Sequence, residues 1–292
     1  MREALLGPIG RLWERPDFQR NPIHALGRRA WWRARWACSS EPWRLSVPEG
    51  GQILVPKSGA GALIYYLGYS EPDTARFLIN FLRPSMVFWD VGAHIGEFSL
   101  LASGQVGDQG RVDAFEPNPA LTALIHSTIE TNRLTNVNVH SHAVTDWNGR
   151  GEFVIDPEPA ISHMRASKEV ASATSSIAVS TMSLDDFHLQ CGYRPHLVKI
   201  DVEGAEKMVL RGAQALLQFP PETAPVWVTE FAPANCARYH YHPDELLDEF
   251  SRRGYQNFWL TPSGLAEVQP GVPPASDCLN FVSTKNDIRP AS

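Results

Sequence analysis

Between residues 86 and 283, short apolar runs alternate with longer segments in which apolar residues recur every three or four positions. The first pattern predicts buried β-strands and the second predicts amphipathic helices. Such alternation is typical of an α/β fold with a mostly parallel sheet and helices on both faces. The predicted strands are 86–91, 111–115, 137–142, 196–200, 226–231, 256–260 and 278–283. The predicted helices are 95–103, 119–132, 205–217 and 243–253.

Residues 1–42 form an N-terminal extension that is rich in Arg and Trp and predicts one or two short helices. A membrane-surface helix containing Trp31, Trp32 and Trp36 is one interpretation, and a lid over a substrate is another. We favour a third, in which the tryptophans pack on the main domain and the arginines remain in water. Trp and Arg are interleaved here, whereas a membrane helix needs a clean polar face.

Residues 43–292 are predicted to form one domain. It begins with a β-hairpin at 43–55, marked by two strand-like runs around a Pro-Glu-Gly-Gly turn. A helix follows at about 71–82. An insert at about 146–180 interrupts the alternation, and its middle part, 156–175, is polar and irregular. Long inserts of this kind are often functional, so one interpretation is that this insert forms part of a substrate pocket, and the other is that it is a surface loop.

Composition and charge reduce the number of function classes that fit the chain. The chain has 292 residues and a net charge of -6, which gives no electrostatic support for nucleic-acid binding. Its four cysteines are far apart and form no CxxC pair, so neither a zinc site nor a disulfide framework is expected and the cytoplasm is the default compartment. No apolar run approaches the roughly 20 residues of a membrane span.

The most informative turn joins the predicted strand 86–91 to the helix after it, with the pattern DxGxxxG from Asp90 to Gly96. Gly92 allows close approach of the backbone to a ligand, and Gly96 allows the helix to pack against the strand. A dinucleotide fingerprint is GxGxxG, but here His94 replaces the middle glycine. Asp90 would repel a pyrophosphate and suits a cationic cofactor, which favours S-adenosylmethionine over NAD.

Two further segments support that prediction. Glu116 ends the next strand, where a carboxylate can accept hydrogen bonds from both ribose hydroxyls of an adenosine. Asn118 is a candidate N-cap of the helix that follows. Ala143 and Val144 follow the third strand, where backbone and apolar contacts to an adenine ring are expected.

A second acidic group follows the fourth predicted strand, in the run VKIDVEGAE. Asp201 and Glu203 lie two residues apart, so they face the same side of an extended segment at the ligand-binding end of a parallel sheet. These acids could position an acceptor, bind a divalent cation or take a proton. For Glu206 we favour helix capping at the positive end of the dipole. Glu230, at the end of the fifth strand, either lines the same cleft or is an ordinary strand-end acid.

Together these segments resemble the FkbM-type methyltransferase family. The resemblance covers roughly residues 86–235 and rests on the glycine turn, AFEPNP, MSLDDF and above all KIDVEGAE. It implies a class I methyltransferase fold with a seven-stranded sheet whose last strand is antiparallel. It also implies S-adenosylmethionine as methyl donor and O-methylation of a hydroxyl on a small molecule or glycan.

The family resemblance and the spacing of the motif residues together predict one site. The predicted cofactor-binding residues are Asp90, Val91, Gly92, Ala93, Gly96, Glu116, Asn118, Ala143 and Val144. Asp201 and Glu203 are the predicted catalytic residues. Asp201 would take the acceptor proton, alone or with a Mg²⁺ ion also held by Glu203. His163 is a lower-ranked base. His94, a departure from the family pattern, could contact the methionine end of the donor or simply pack, and we favour packing.

Three other function classes fit the sequence less well. A nucleic-acid N-methyltransferase would commonly carry an Asn/Asp-Pro-Pro-Tyr/Phe run after the fourth strand, but residues 201–204 read Asp-Val-Glu-Gly. A nicotinamide-dependent oxidoreductase is disfavoured by Asp90 and the missing middle glycine. A non-catalytic nucleoside-binding protein that retains the fold is less favoured because both acidic residues are intact, and retained donor binding without transfer would identify it.

Overall fold

The computed structural model describes residues 16–156, 162–165, 175–269, 272 and 279–288. The helices are α1 (Pro16–Arg20), α2 (Pro22–Cys38), α3 (Gly59–Leu67), α4 (Pro72–Phe81), α5 (Glu97–Val106), α6 (Pro119–Asn132), α7 (Leu184–Cys191), α8 (Glu206–Arg211), α9 (Gln214–Leu217), α10 (Pro233–Arg238) and α11 (Asp244–Ser251). The strands are β1 (Trp43–Ser46), β2 (Gln52–Val55), β3 (Val87–Val91), β4 (Arg111–Phe115), β5 (Val137–His140), β6 (His142–Val144), β7 (Gly149–Ile155), β8 (His163–Met164), β9 (Ser175–Met182), β10 (Leu197–Ile200), β11 (Val226–Phe231), β12 (Gln256–Thr261), β13 (Gly264–Glu267) and β14 (Leu279–Thr284).

Within the described residues, the central sheet has eight strands in the order β13-β12-β14-β11-β10-β3-β4-β5. Strands β5, β4, β3, β10 and β11 pair in parallel, and β14 is antiparallel to both of its neighbours. The predicted α/β class, mostly parallel sheet and antiparallel last strand are therefore confirmed. The predicted number of seven strands is wrong by one, because β12 turns back at Gly264 (φ 115°) and pairs with β13.

Apolar residues cover both faces of this sheet. Successive residues of β3 alternate between the two sides, so that Phe88 packs in one large core cluster and Trp89 in the other. Both side chains are fully buried. The two-sided burial explains why β3 and β10 are mainly apolar on both faces rather than alternating, with Asp90 and Lys199 as the charged exceptions.

Several predicted elements are corrected in detail. The predicted strand 137–142 is divided, since β5 belongs to the central sheet and β6 belongs to a second sheet with the order β6-β9-β7-β8. The predicted helix 205–217 is divided into α8 and α9 at Gly212, where an added Cβ atom would lie 2.1 Å from the Thr145 carbonyl oxygen. The predicted helix 95–103 begins later, at Glu97, because the glycine turn extends to Gly96.

The insert contains more regular structure than the sequence predicted. Its strands β7 and β9 pair along their whole length, and β8 adds two residues to the edge of β7. The prediction of an irregular segment at 156–175 is therefore wrong at His163 and Met164. Residues 157–161 and 166–174 lie outside the described part of the chain.

The N-terminal extension packs on the domain through part of its tryptophans. Trp32 and Trp36 are buried in the first core cluster, whereas Trp31 is 59% exposed. The expectation that the arginines remain in water is wrong for Arg29, whose side chain is 14% exposed, pairs with Asp17 at 2.6 Å and lies 4.4 Å from the centre of the Tyr66 ring on α3. The first 15 residues lie outside the described ranges, and no helix within those ranges is long and apolar enough to cross a membrane.

Candidate active site

A cavity of about 510 Å³ opens at the carboxyl ends of the parallel strands, within the size range of ligand pockets. Its walls come from the turn after β3, the ends of β4, β6, β10 and β11, the start of α3 and the insert. Of the residues predicted from sequence, seven line this cavity: Gly92, Ala93, Glu116, Ala143, Val144, Asp201 and Glu203. Four others, Asp90, Val91, Gly96 and Asn118, lie behind the wall.

Gly92 lies at the point where the turns after β3 and β10 meet. Its φ is 82°, and an added Cβ atom would lie only 1.8 Å from the Asp201 carbonyl oxygen. The Gly92 and Ala93 N–H groups both donate to the Phe115 carbonyl oxygen at 3.0 Å. These two hydrogen bonds hold the turn against the end of β4. A side chain at this position would separate the two turns that line the cavity.

Glu116 lines the cavity at the end of β4 and holds the neighbouring backbone together. One carboxylate oxygen accepts the His94 N–H at 2.9 Å, and the other accepts the Asn118 N–H at 2.8 Å. Burial raises the pKa of Glu116 to about 8, although the two backbone hydrogen bonds oppose that shift. Each carboxylate oxygen can accept a second hydrogen bond, so these contacts leave capacity for ribose hydroxyls.

Asp90 is fully buried behind the cavity wall. One carboxylate oxygen accepts the Ser99 hydroxyl at 2.6 Å, and the other has no hydrogen-bond partner among the described residues. Burial raises the pKa of Asp90, and the Lys199 ammonium on the adjacent strand opposes the shift. Asp90 therefore acts on the cavity through its neighbours rather than by lining it.

The other two predicted turn residues have packing roles. Gly96 has φ 80°, and an added Cβ atom would lie 3.1 Å from the Ile125 side chain on α6. The Asn118 side chain accepts the Ala120 N–H at 3.0 Å and caps α6. Both residues support the wall formed by the turn after β3 and the start of α6 without facing the cavity.

The wall beyond Glu116 is mainly apolar. Phe115, Leu121, Ala143 and Val144 line it. His142 lies beside them, and burial lowers its pKa, so its ring is neutral at pH 7. A flat aromatic group would find apolar contacts here next to the Glu116 carboxylate.

Lys199 is a lining residue that the sequence analysis missed. It is 2% exposed, and its ammonium donates to an Asp201 carboxylate oxygen at 2.7 Å. Burial alone would lower the pKa of Lys199, but the carboxylates of Asp201, Glu71 and Asp90 around it raise the pKa well above its usual value. Lys199 therefore stays charged and holds Asp201 in an ion pair.

Glu203 is in a different electrostatic state from Asp201. Burial, followed by the charges of Asp201 and Glu206, raises the pKa of Glu203 to about 8. Its carboxylate accepts the Asn235 side-chain N–H at 2.8 Å, and its backbone has φ 55°, a conformation that L-residues rarely adopt. A carboxylate with a pKa near neutral pH can take a proton as a reaction proceeds.

Glu206 stabilises the turn that contains Glu203. One carboxylate oxygen accepts the N–H groups of Val202 and Gly204 at 3.1 Å each, and the other accepts the Tyr241 hydroxyl at 3.0 Å. The side chain thus bonds to the turn that precedes α8. Glu206 is a structural residue as expected, although it stabilises this turn rather than the helix end.

The histidines differ in position from the sequence prediction. His94, expected to pack, lines the cavity, and its buried Nε2 atom has no hydrogen-bond partner among the described residues. Burial lowers the pKa of His94 to about 4, so its ring is neutral. His163, proposed as a lower-ranked base, is buried and does not line the cavity, although its neighbours Ser162 and Met164 do.

Two acids that the sequence analysis missed also line the cavity. Glu97, the first residue of α5, accepts the Ser70 N–H at 2.7 Å and the Ser70 hydroxyl at 2.5 Å, and burial raises its pKa to about 8. Glu71, the N-cap residue of α4, accepts hydrogen bonds from Thr74 and Asn280, and burial raises its pKa as well. Glu97 directly follows the glycine turn and could have been predicted from the sequence, whereas no local motif marks Glu71, because its place depends on how the segment before β3 packs.

The predicted Mg²⁺ ion would need oxygen ligands beyond Asp201 and Glu203. The described part of the chain contains no group of three or more His, Cys, Asp or Glu side chains that could hold a metal ion. Asp201 is already neutralised by the Lys199 ammonium at 2.7 Å. We therefore derive no step from a metal.

Comparison with known proteins identifies relatives of this arrangement. Residues 90–256, more than half of the chain, match the model of the methyltransferase FkbM domain. Over an aligned stretch of 150 residues, the chain is 29% identical to the hexuronic acid methyltransferase AglP of Haloferax volcanii. The aligned stretch covers 51% of this chain and 58% of that protein. The chain thus matches less than two thirds of the length of that relative.

Solved structures with weak similarity include two methyltransferases. A precorrin-6y C5,15-methyltransferase of Geobacter metallireducens is 15% identical, with 73% of this chain and 89% of that chain covered and a TM-score of 0.41. An O-methyltransferase of Thermotoga maritima is 11% identical, with 85% and 79% covered and a TM-score of 0.40. These similarities are too weak to support an argument. The fold assignment therefore rests on the strand order of the chain itself.

Proposed function

This chain belongs to the FkbM methyltransferase domain family, and we propose that it transfers a methyl group from S-adenosylmethionine to a hydroxyl oxygen of a small molecule or glycan. The observation that carries this proposal is one cavity with two chemically distinct ends. The Gly92 turn, Glu116 and an apolar wall form the donor end. Asp201, Glu203 and Glu230 form the acceptor end.

The donor end fits a nucleoside. Glu116 lies beside the apolar wall of Phe115, Ala143 and Val144, which suits ribose hydroxyls next to an adenine ring. Gly92 leaves its turn without a side chain where the methionine part of the donor would pass. Asp90 does not face the cavity. It contributes by accepting a hydrogen bond from the Ser99 hydroxyl and through the electrostatic field of its carboxylate.

The acceptor end offers two carboxylates with different roles. The sequence favoured Asp201 as the base, but the Lys199 ammonium binds its carboxylate at 2.7 Å and makes proton uptake less favourable. Glu203, with its pKa raised to about 8, is better matched to take a proton near neutral pH. We therefore assign Glu203 as the general base and Asp201 as the residue that orients the acceptor hydroxyl.

The donor would supply a methyl group on a positively charged sulfur. The acceptor oxygen forms the new O–C bond as the C–S bond breaks, and the electron pair of the broken bond remains on sulfur. Glu203 receives the hydroxyl proton. The main contribution of the walls is to align the oxygen with the methyl carbon, because intramolecular alignment accounts for a large part of the rate of such displacements.

Two observations support oxygen as the accepting atom. The relative in Haloferax volcanii is described as acting on a hexuronic acid, a molecule rich in hydroxyl groups. In addition, residues 201–204 lack the Pro-Pro run that commonly follows the fourth strand in nucleic-acid N-methyltransferases. A hydroxyl is a weak nucleophile, which makes a positioned carboxylate necessary.

The proposal is tested by measuring S-adenosylhomocysteine release from S-adenosylmethionine in the presence of neutral monosaccharide and phenolic acceptors. We expect product with at least one hydroxyl acceptor, with kcat/KM rising as the pH increases through about 8 because the ionised form of Glu203 is the base. Donor binding without transfer to any acceptor would instead indicate a non-catalytic nucleoside-binding protein.

Two variants separate the roles of the acids. Glu203→Gln should lower kcat by about 100-fold or more and remove the rise with pH, with little change in S-adenosylhomocysteine affinity. Asp201→Asn should raise KM for the acceptor as well as lower kcat, because it loses an orienting contact and leaves Lys199 unpaired. Equal losses of kcat and donor affinity in Glu203→Gln would contradict its assignment as the base.

A further inference from the structure

We propose that the outer face of α2, formed by Ile23, Leu26, Ala30, Trp31 and Ala34, binds the surface of a membrane that contains anionic lipids. This face lies outside the cavity, and its role does not depend on the transfer reaction. The packing of the N-terminal extension on the domain accounts for the opposite face of α2 only. The outer face is apolar, exposed and bordered by arginines, and these features together favour a lipid surface as its partner.

The outer face exposes three large apolar side chains. Ile23 is 84% exposed, Leu26 is 55% exposed and Trp31 is 59% exposed. Among the described residues, six large apolar side chains are exposed, so half of them lie on this one helix. Ala30 and Ala34 are also exposed and continue the face along α2 without a charge. An exposed apolar surface of this kind marks an interaction site more often than an ordinary surface.

The inner face of α2 is fixed to the domain. Trp32 and Trp36 are buried, and the Trp32 ring stacks on the Tyr65 ring of α3 with the ring centres 5.5 Å apart. The Arg29 guanidinium pairs with the Asp17 carboxylate at 2.6 Å. The helix cannot turn to bury its outer face without breaking these contacts. The outer face is therefore exposed because of how α2 packs.

Two rows of arginines separate the outer face from the inner face. Helical spacing places Arg28 and Arg35 in one row, and Arg29 and Arg33 in the other. Trp and Arg are interleaved in the sequence because α2 has two apolar faces rather than one apolar and one polar face. Arg33, and Arg20 on α1, are exposed. An arginine at the border of an apolar face can bind lipid phosphates while its alkyl stem contacts apolar groups.

Charge distinguishes between the possible partners. Residues 16–38 contain five arginines and one aspartate, a net charge of +4, in a chain whose net charge is -6. An anionic lipid surface complements this charge. A second copy of the chain in a two-fold contact would place two positive helices against each other. A nucleic acid would need the cations at the centre of the face, where the apolar side chains lie.

Cosedimentation of the full chain with lipid vesicles tests the proposal. One vesicle is phosphatidylcholine alone, and the other is an equimolar mixture of phosphatidylcholine and phosphatidylglycerol. We expect at least about tenfold tighter binding to the mixed vesicle, and weaker binding as the salt concentration rises, because the arginines attract the anionic headgroups. No pelleting with the mixed vesicle, or equal binding to the two vesicles, would overturn the proposal.

Three variants locate the binding surface. Trp31→Ser should lower the affinity for the mixed vesicle by at least about fivefold, because it removes an aromatic side chain from the lipid interface. Arg33→Gln should lower that affinity by about fivefold and leave binding to phosphatidylcholine unchanged. Leu189→Ser removes a side chain on α7 that is 77% exposed, and it should change neither affinity. Equal effects of Trp31→Ser and Leu189→Ser would overturn the assignment to α2.

Two further measurements separate this proposal from the alternatives. Trp31, Arg33 and Leu189 are exposed and do not line the cavity, so all three variants should unfold at the wild-type temperature and bind S-adenosylhomocysteine unchanged. Failure of vesicle binding is thus distinguishable from failure of the proposed function. Sedimentation velocity measures self-association, and a wild-type dimer that Trp31→Ser dissociates would show that the outer face joins two copies and would overturn the proposal.

Discussion

Two turns at the carboxyl edge of the sheet are built in the same way but serve different purposes. In the turn after β3, Gly92 approaches the Asp201 carbonyl, and the His94 N–H donates to Glu116 at the end of the adjacent strand β4, which also accepts the Asn118 N–H. In the turn after β10, Gly204 approaches the Asn235 carbonyl, and Glu206 accepts two backbone N–H groups. Each turn thus contains a glycine of positive φ and donates backbone N–H to a buried glutamate.

The two glutamates differ in the surroundings of their remaining hydrogen-bonding capacity. Glu116 faces the cavity, so its carboxylate keeps capacity for a ligand. Glu206 does not face the cavity, and its other oxygen accepts the Tyr241 hydroxyl at 3.0 Å. The comparison shows that a buried strand-end acid becomes a candidate binding residue only when part of its hydrogen-bonding capacity points into a cavity.

Gly92→Ala should have the largest effect on this arrangement. The new Cβ atom would lie 1.8 Å from the Asp201 carbonyl oxygen at a φ of 82°, so the two turns must move apart. We expect the free energy of unfolding to fall by about 3 kcal/mol and S-adenosylhomocysteine binding to be lost. Urea denaturation and calorimetry measure both quantities.

Gly104→Ala is the matched control. Gly104 lies inside α5, has no atom within 4 Å of an added Cβ, and should gain up to about 1 kcal/mol of stability from the better helix propensity of alanine. If Gly92→Ala were as well tolerated as Gly104→Ala, the close approach of the two turns would be contradicted.

Glu116→Gln should cost more stability than Glu206→Gln. In Glu116 each carboxylate oxygen accepts a backbone N–H, so the glutamine NH₂ must meet one of these donors, and leaving a buried donor unsatisfied costs about 1–3 kcal/mol. In Glu206 one oxygen accepts both backbone N–H groups, so the glutamine NH₂ can instead face the Tyr241 hydroxyl, which can accept a hydrogen bond. Urea denaturation of both variants tests this expectation, and a larger loss in Glu206→Gln would contradict it.

Tyr241→Phe should have a smaller effect. It removes the hydroxyl that donates to Glu206 and lies 2.9 Å from the Gly204 carbonyl oxygen, while the buried ring is retained. We expect a loss of about 1 kcal/mol in the free energy of unfolding and unchanged donor binding. Weaker S-adenosylhomocysteine binding in this variant would mean that the turn after β10 contributes to the donor end.

Local sequence patterns were sufficient for the first turn. The spacing of Asp90, Gly92 and Gly96 and the place of Glu116 after the next strand all follow from chain-neighbouring residues. The pattern could not show which side of the wall each residue faces. Asp90 turns toward Ser99 on α5, and this contact depends on the packing of that helix.

Other features depended on contacts between distant segments. Glu71 reaches the cavity only because the segment before β3 packs over the sheet edge, where Ser70 of that segment donates to Glu97. The division of 137–144 between two sheets is equally hidden, since a continuous strand-like run does not specify its partners. Lys199 could have been predicted, because it lies two residues before Asp201 and alternation places both on one face.

The central claim is that Glu116, and not Glu206, binds the donor. Calorimetric titration of S-adenosylhomocysteine into wild type, Glu116→Gln and Glu206→Gln tests this claim most directly, with NADH as a comparison ligand. We expect wild type and Glu206→Gln to bind S-adenosylhomocysteine but not NADH, and Glu116→Gln to lose at least about tenfold in affinity, which corresponds to about 1.4 kcal/mol. Unchanged affinity in folded Glu116→Gln, or no binding by wild type, would contradict the account.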